Sequence, residues 1–316
     1  MEAYTVNSSA FRYKTAYHQD KDMEALMDDK QLIEDRQSVR EFKKRSIPDE
    51  DLNEIRNFFT ETKKLVPDIR TELKIYNDSD MKNRLEGVAG YRGLAFGAPV
   101  YLVVFSEEKD NDLLNAGYIG EQLCLKLTDM EIDHCWLTVH DIKATKRALL
   151  EETEMTPAVI LAAGYGKAVS AKPRLDIETP SNLKYNKRAE HVAPKIAQDD
   201  MVYSGSWGTP MDWSENAVDP LLDEALYAAS LAPSFLNRQP YRYIVHGSHV
   251  VLCVKQEEIT TAADTALDIG ATMYNFDTIY AHRNTGRNKW VIGTPDGAES
   301  LHVPADYTIV AYYPIV

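Results

Sequence analysis

Two short segments carry residue types whose spacing could do chemistry. Arg36-Gln37-Ser38-Val39-Arg40-Glu41-Phe42 places a guanidinium, a hydroxyl and a second guanidinium at alternate positions. In extended backbone alternate side chains share a face, so Arg36, Ser38 and Arg40 present two cations and a hydroxyl on one side. Guanidinium groups pair bidentately with phosphate oxygens, and the pattern suits a phosphate on a polyhydroxyl chain. Taken alone, such a run is more often a solvated charged segment after a helix. The second segment is Ala232-Pro233-Ser234-Phe235-Leu236-Asn237-Arg238-Gln239-Pro240-Tyr241. Ser, Asn and Gln in a loop anchored by two prolines give fixed hydroxyl and amide groups. These suit the edge of a planar heterocycle that both donates and accepts hydrogen bonds. The bland reading, a loop capping its own turns, needs many specific residues to coincide.

These segments must work inside an acidic chain. The sequence has 316 residues, a formal charge of -14 and a pI near 5.1. A field of that sign repels nucleic acid and anionic membranes, so no nucleic-acid or membrane partner is expected and an anionic ligand needs a local basic pocket. Apolar residues make up 44% of the chain, enough for a proper core, and no apolar run approaches a membrane span. Cys124, Cys135 and Cys253 are too scattered for a disulfide framework and form no CxxC pair. With no secretory pattern at Met1-Glu-Ala-Tyr-Thr-Val, the expected compartment is the cytoplasm.

The elements that would hold the two segments can be read from periodicity. Residues 1–20 form a polar arm. A helix over 22–36 precedes the basic segment, and Ile47-Pro48-Asp49-Glu50-Asp51 starts the next helix. Strands are expected at 72–76, 99–105, 134–139 and 158–163, with helices over 113–130 and 143–152 between them. Residues 176–216 are rich in Pro, Ser, Asn, Lys and Asp, and read as a linker between a first half, 21–175, and a second half, 217–316. The second half offers a helix over 217–232, strands at 241–245 and 250–254, a helix over 263–282, and strands at 289–292 and 308–315. Each half thus runs opening helix, short strand, strong strand, long helix with an early glycine, Trp-bearing strand, final strand. Gly117 precedes Trp136 much as Gly270 precedes Trp290. This order is that of a weak internal duplication, although any α+β protein gives a comparable list.

Together the two segments resemble the nitroreductase family, whose members open with Arg-x-Ser-x-Arg/Lys-x-Phe and carry a Pro-Ser-x-x-Asn-x-Gln-Pro loop after the next helix. A third match is Gly164-Tyr165-Gly166 followed by Lys172-Pro173-Arg174. The family has Gly-Tyr-Pro in that turn, so Gly166 is a departure. The resemblance covers roughly 30–175 and 217–316. It implies an α+β nitroreductase-like fold and an FMN cofactor. It also implies NADH or NADPH as reductant and a small-molecule electron acceptor such as a nitroaromatic or a quinone.

The family's FMN lies between two subunits, the basic cluster from one and the Pro-Ser loop from the other. Here the first half has Arg36, Ser38, Arg40, Lys172 and Arg174, while its loop counterpart, Val66 to Glu72, keeps a proline but loses Ser, Asn and Gln. The second half has Pro233, Ser234, Phe235, Asn237 and Gln239, but Asp212-Trp-Ser-Glu-Asn replaces the basic segment. The expectation is an intramolecular pseudo-dimer, monomeric or further associated, with one complete FMN site and one degenerate site. By analogy Arg40 reaches the pyrimidine edge and backbone near Thr138 faces flavin N5.

No catalytic acid or base is identifiable. Dehalogenation, dehydrogenation, flavin breakdown and a non-catalytic flavin-binding role remain alternatives. His134, Cys135 and His140 fit no zinc spacing, and no metal is expected. No GxGxxG or GxSxG occurs.

Overall fold

Two long helices cross so closely that neither tolerates a side chain at the crossing. These are α4 (Asp112–Asp129) and α8 (Ala262–Asn284). A Cβ on Gly117 would lie 2.3 Å from the Leu267 carbonyl oxygen, and one on Gly270 would lie 2.2 Å from that of Leu114. Each glycine therefore meets the residue three before the other, the reciprocal contact of a two-fold axis. The computed structural model describes residues 24–167, 193–214, 218–284 and 289–315. Strands β5 (Pro173–Thr179) and β6 (Asn182–Lys187), with residues 283 and 284, are described in backbone only.

Each half wraps a sheet around its long helix. In the first, β1 (Thr71–Tyr76), β2 (Val100–Ser106), β3 (Asp133–Leu137) and β4 (Thr156–Gly164) pair antiparallel in the order β1-β2-β4-β3. In the second, β8 (Tyr241–His246), β9 (His249–Lys255), β10 (Val291–Ile292) and β11 (Tyr307–Pro314) take the order β8-β9-β11-β10, with β7 (Val202–Ser204) added in parallel on β8. Substituting β8, β9, β10 and β11 for β1, β2, β3 and β4 makes the two orders identical. The fold is α+β with two similar halves, and the duplication is real at the level of topology.

The equivalence reaches single residues. The Trp136 ring lies where a Cβ of Gly120 would be, and Trp290 Nε1 donates to the carbonyl of Met273 at 3.0 Å. Gly120 and Met273 stand at the same offset from Gly117 and Gly270. Both tryptophans thus brace the same turn of their helix.

Helix α1 (24–35) ends just before the basic segment, and α2 (Asp49–Thr60) follows it. Although α1 precedes the first half in sequence, it packs on the second. Ile33 is buried with Leu222, Leu226 and Phe276, Lys30 pairs with Glu224 at 2.6 Å, and His282 bonds Asp29 at 2.9 Å. The first sheet is covered on its other face by α3 (Met81–Leu85) and α5 (Ile142–Leu149).

The stretch from 176 to 216, read as a linker, holds ordered structure: the antiparallel β5–β6 hairpin, the short α6 (Gln198–Met201) and β7. Met201 and Val202 are buried in the second half's core. Their apolar pair is too short for periodicity to reveal. Helix α7 (Pro220–Ser230) starts on an N-cap from Asp219, which accepts from the Leu221 amide at 2.9 Å. It delivers the chain to the Pro-Ser loop.

Candidate functional site

The basic segment joins the first sheet as a short edge. The Val39 amide donates to the His134 carbonyl at 2.9 Å, Ser38 bridges His134, and Phe42 bridges Gly166. Val39 and Phe42 both face the core, so the strict alternation that would put Phe42 with Arg36, Ser38 and Arg40 does not hold across the whole segment. Arg36 is turned inward, its side chain 8% exposed, with Nε 3.5 Å from Oε1 of the fully buried Glu121. Nε and Nη1 of Arg36 and both carboxylate oxygens of Glu121 are buried without a hydrogen-bond partner. Ser38 is half-buried beside the Cys135 thiol, which burial pushes up. Arg40 is exposed, its guanidinium 5.9 Å from the Phe96 ring centroid, with no ion pair among the described residues.

The edge continues to Thr138, half-buried, whose carbonyl accepts from the Gly90 amide at 2.7 Å. His140 Nε2 holds the Gly90 carbonyl at 2.8 Å. The turn so fixed carries Tyr91 at its tip, 40% exposed, with a ring centroid 6.0 Å from Phe235 of the Pro-Ser loop. The two halves therefore meet again at this aromatic pair.

In the Pro-Ser loop, Leu236, Asn237 and Gln239 all have positive φ (50°, 57° and 49°). Backbone strain of this kind persists where surrounding bonds over-determine the conformation, and here the bonds are many. The Phe235 amide donates to both oxygens of Asp268, at 2.9 and 3.0 Å. The Gln239 amide donates to Ser234 Oγ at 2.9 Å. Asn237 Nδ2 donates to the Pro194 carbonyl at 2.7 Å, and Gln239 Oε1 accepts from the Ile196 amide at 2.9 Å. The Asn and Gln amides are thus engaged by the chain's own 194–196 segment. Pro233 is half-buried.

Among the described residues no hydrogen bond or ion pair joins the side chains of Arg36, Ser38 or Arg40 to Ser234 to Gln239; the polar link runs through groups that carry no motif. Lys195 Nζ donates to the Ala232 carbonyl at 2.6 Å, at the loop's root, and its charge acts on Glu121 and is itself opposed by Arg36. Burial pushes Glu121 up to about 7 and Lys195 down to about 8. His134, beside Arg36, is pushed down to about 3, chiefly by burial. Asp268 is raised well above the carboxylate range by burial. Glu121, Lys195, Asp268 and Tyr91 were invisible as site residues because no local pattern marks them. The close glycines at 87, 90 and 93, all at positive φ, were the one available sign of the Tyr91 turn.

The second loop position confirms the pseudo-symmetry. Val66 donates its amide to Asn115 Oδ1 at 3.0 Å, as Phe235 does to Asp268. Asn115 and Asp268 stand two residues before Gly117 and Gly270. Because the neutral Asn115 makes the same bond, Asp268→Asn is expected to keep the loop and change stability by less than about 1 kcal/mol at about pH 3, where the carboxyl is protonated in both states. The folded state holds the Asp268 proton above the unfolded carboxylate range, so stability falls as pH rises from that range toward the raised value. The variant will lose this slope in denaturant titrations across pH.

Lys172 lies outside the described residues, and of Arg174 only the backbone, in β5, is described. Gly166 donates its amide to Asp133 Oδ2 at 2.7 Å, a bond proline could not make, which accounts for the departure in that turn. His134, Cys135 and His140 bind no common point, and among the described residues no group of side chains could hold a metal. No helix among them is long and apolar enough to cross a membrane. A cavity of about 660 Å³ lies elsewhere on the second half, among Met211, Leu222, Tyr280 and Ile315, and no motif residue lines it.

Comparison with known proteins agrees with this architecture. No curated protein matches the sequence. The solved structure of a "putative nitroreductase" from Thermotoga maritima aligns with a TM-score of 0.54 at 17% identity, over 91% of this chain and 93% of that one. An FMN-dependent nitroreductase from Clostridium difficile aligns with 44% of this chain and 88% of its own, at 16% identity and a TM-score of 0.39. An iodotyrosine deiodinase solved with FMN and 3-iodo-L-tyrosine aligns with 48% of this chain and 97% of its own, at 22% identity and a TM-score of 0.38. A family model described as "Putative TM nitroreductase" matches residues 29–201, more than half of the chain. The protein belongs to this TM-type nitroreductase family of oxidoreductases, in the form that carries both halves of the fold on one polypeptide.

Proposed function

We propose that the chain is an FMN-dependent oxidoreductase that takes electrons from NADH or NADPH and gives them to a small acceptor such as a nitroaromatic or a quinone, at one flavin site between the halves. The observation that carries the reading is Arg36: a buried guanidinium with two nitrogens lacking any hydrogen-bond partner. A buried donor left unpaired is costly, and a phosphate is an anion that a guanidinium pairs with strongly. The basic end of the site fits FMN on that ground. Arg36 would hold the phosphate with Lys172 and Arg174, Ser38 the polyol chain, and Arg40 the pyrimidine edge. Thr138 backbone, Pro233, Ser234, Phe235, Asn237 and Gln239 would border the ring. Bound there, FMN supplies two-electron chemistry, accepting hydride from nicotinamide and returning it to the acceptor. The chain's own part is to orient the ring, exclude water and tune it by hydrogen bonds.

A second reading, non-catalytic flavin binding, is favoured by one observation: Asn237 and Gln239 are spent on the 194–196 backbone. The visible spectrum of the purified protein separates the cases. About one FMN per chain, bleached by NADH or NADPH and recovered on adding an acceptor, is the expected result. Flavin that binds but is not reduced leaves the second reading. A colourless protein that takes up no added FMN refutes both.

A further inference from the structure

The Arg36–Glu121 pair is unusual in what surrounds it. Glu121 is fully buried, and neither oxygen has a donor at good hydrogen-bond geometry, although the Cys124 thiol and the Asn275 amide lie near enough to lower its proton affinity. The facing guanidinium stands at 3.5 Å, beyond hydrogen-bond length, and is itself short of two partners. A resident structural ion pair satisfies both members, because desolvation otherwise exceeds the attraction. This pair satisfies neither. Its pseudo-symmetric counterpart is not a carboxylate at all: four residues after the crossing glycine, Glu121 on α4 corresponds to Tyr274 on α8. The carboxylate is therefore present only beside the site that kept the basic segment.

We infer that Glu121 is a positioning residue whose protonation is coupled to anion binding: an anion arriving on Arg36 displaces Glu121 as its counter-charge, and Glu121 takes up one proton. The inference rests on the reading of Arg36 as a phosphate-binding residue. The proton comes from solvent, no bond between heavy atoms changes, and the neutral carboxyl lets the pocket hold one negative partner instead of two. The groups facing Glu121 leave it this freedom. From the edge segment comes Arg36, from the 193–197 segment Lys195, from its own helix the Cys124 thiol, from β8 Tyr241, and from α8 Tyr274 and the Asn275 amide. The tyrosines are held neutral by burial, as is the thiol. Among these groups Lys195 competes as a proton acceptor, since burial brings it down to about 8 while Glu121 stands at about 7, whereas His134 beside Arg36 is held neutral at about 3.

The test is calorimetry of FMN binding to the apo form of the full chain at about pH 8, in two buffers of different ionisation enthalpy. At that pH the FMN phosphate, with a second pKa of about 6, is already dianionic and contributes no proton. Expected is an uptake approaching one proton per FMN, and none for riboflavin, which lacks the phosphate. Expected also is loss of the uptake in Glu121→Gln and its retention in Lys195→Met. FMN binding without proton uptake overturns the coupling while leaving the flavin reading intact. Uptake lost in Lys195→Met but kept in Glu121→Gln also overturns it, assigning the proton to Lys195. If Glu121→Gln does not fold, the contrast of FMN with riboflavin, together with Lys195→Met, still decides. Failure of FMN to bind at all removes the flavin reading and the coupling with it.

Discussion

Gly270→Ala and Gly117→Ala will each destabilise the protein by about 3 kcal/mol or more, against the ordinary sense of the substitution. Glycine to alanine inside a helix normally stabilises by about 0.5–1 kcal/mol, by restricting the unfolded chain and restoring helix propensity. Here the new methyl would stand 2.2–2.3 Å from a carbonyl oxygen of the facing helix, well inside van der Waals contact and against backbone that has nowhere to rotate. The helices must separate, and their shared face holds Leu114, Tyr118, Ile269 and Met273 in the largest core cluster. The cost in the double variant will be much less than the sum, because one separation relieves both clashes. Denaturant unfolding of the three variants checks this. Additive losses would mean that the two glycines act at independent contacts, contrary to the reciprocal crossing.

Arg36→Ala will weaken FMN binding by about a hundredfold or more. Each charge-assisted hydrogen bond contributes about 1.5–3 kcal/mol, two nitrogens are on offer, and tenfold in affinity is about 1.4 kcal/mol. Fluorescence titration of FMN into the apo protein measures it. Retention of near-normal affinity would move the phosphate to another part of the surface. The same variant removes the cation that holds Glu121's proton affinity down, so the carboxyl will climb further above about 7. The sign follows: a carboxyl raised in the folded state binds more protons folded than unfolded, so stability is lost as pH rises from the ordinary carboxylate range through the folded value. Thermal unfolding of Arg36→Ala should therefore fall further below the natural protein at about pH 8.5 than at about pH 6.

Much of this was legible in residues whose signal is local. The strands at β2, β4, β8 and β9 are short apolar runs bounded by turns, and the helices α4 and α8 show their glycines in the sequence itself. The Pro-Ser loop and the Arg-x-Ser-x-Arg run announced a ligand because their residue types are expensive to place without one. What could not be read was contact between residues distant in sequence. Glu121 lies in the middle of a helix and looks like any exposed acid until the fold puts Arg36 against it. Lys195 falls in a stretch with no period, and nothing in Pro194-Lys195-Ile196 says that its backbone will occupy two amides of a loop some forty residues later. Helix α1 has an amphipathic pattern that says it packs, but not on which half. The bonds of Asn237 and Gln239 were equally illegible: amides read as a heterocycle edge also bond the chain's own 194–196 backbone.

The crossing of α4 and α8 also changes what dilution can do to the site. When an interface joins separate subunits, its occupancy depends on protein concentration. Here its two faces are tethered, so each sees the other at an effective concentration that no dilution alters. The tether also removes the requirement that both faces carry the same residue, which a self-complementary interface imposes. Asn115 against Asp268 and Glu121 against Tyr274 are substitutions that only such a chain can accumulate one side at a time. One polypeptide can therefore specialise a single cofactor pocket while its mirror position drifts, and still keep the axis that builds both.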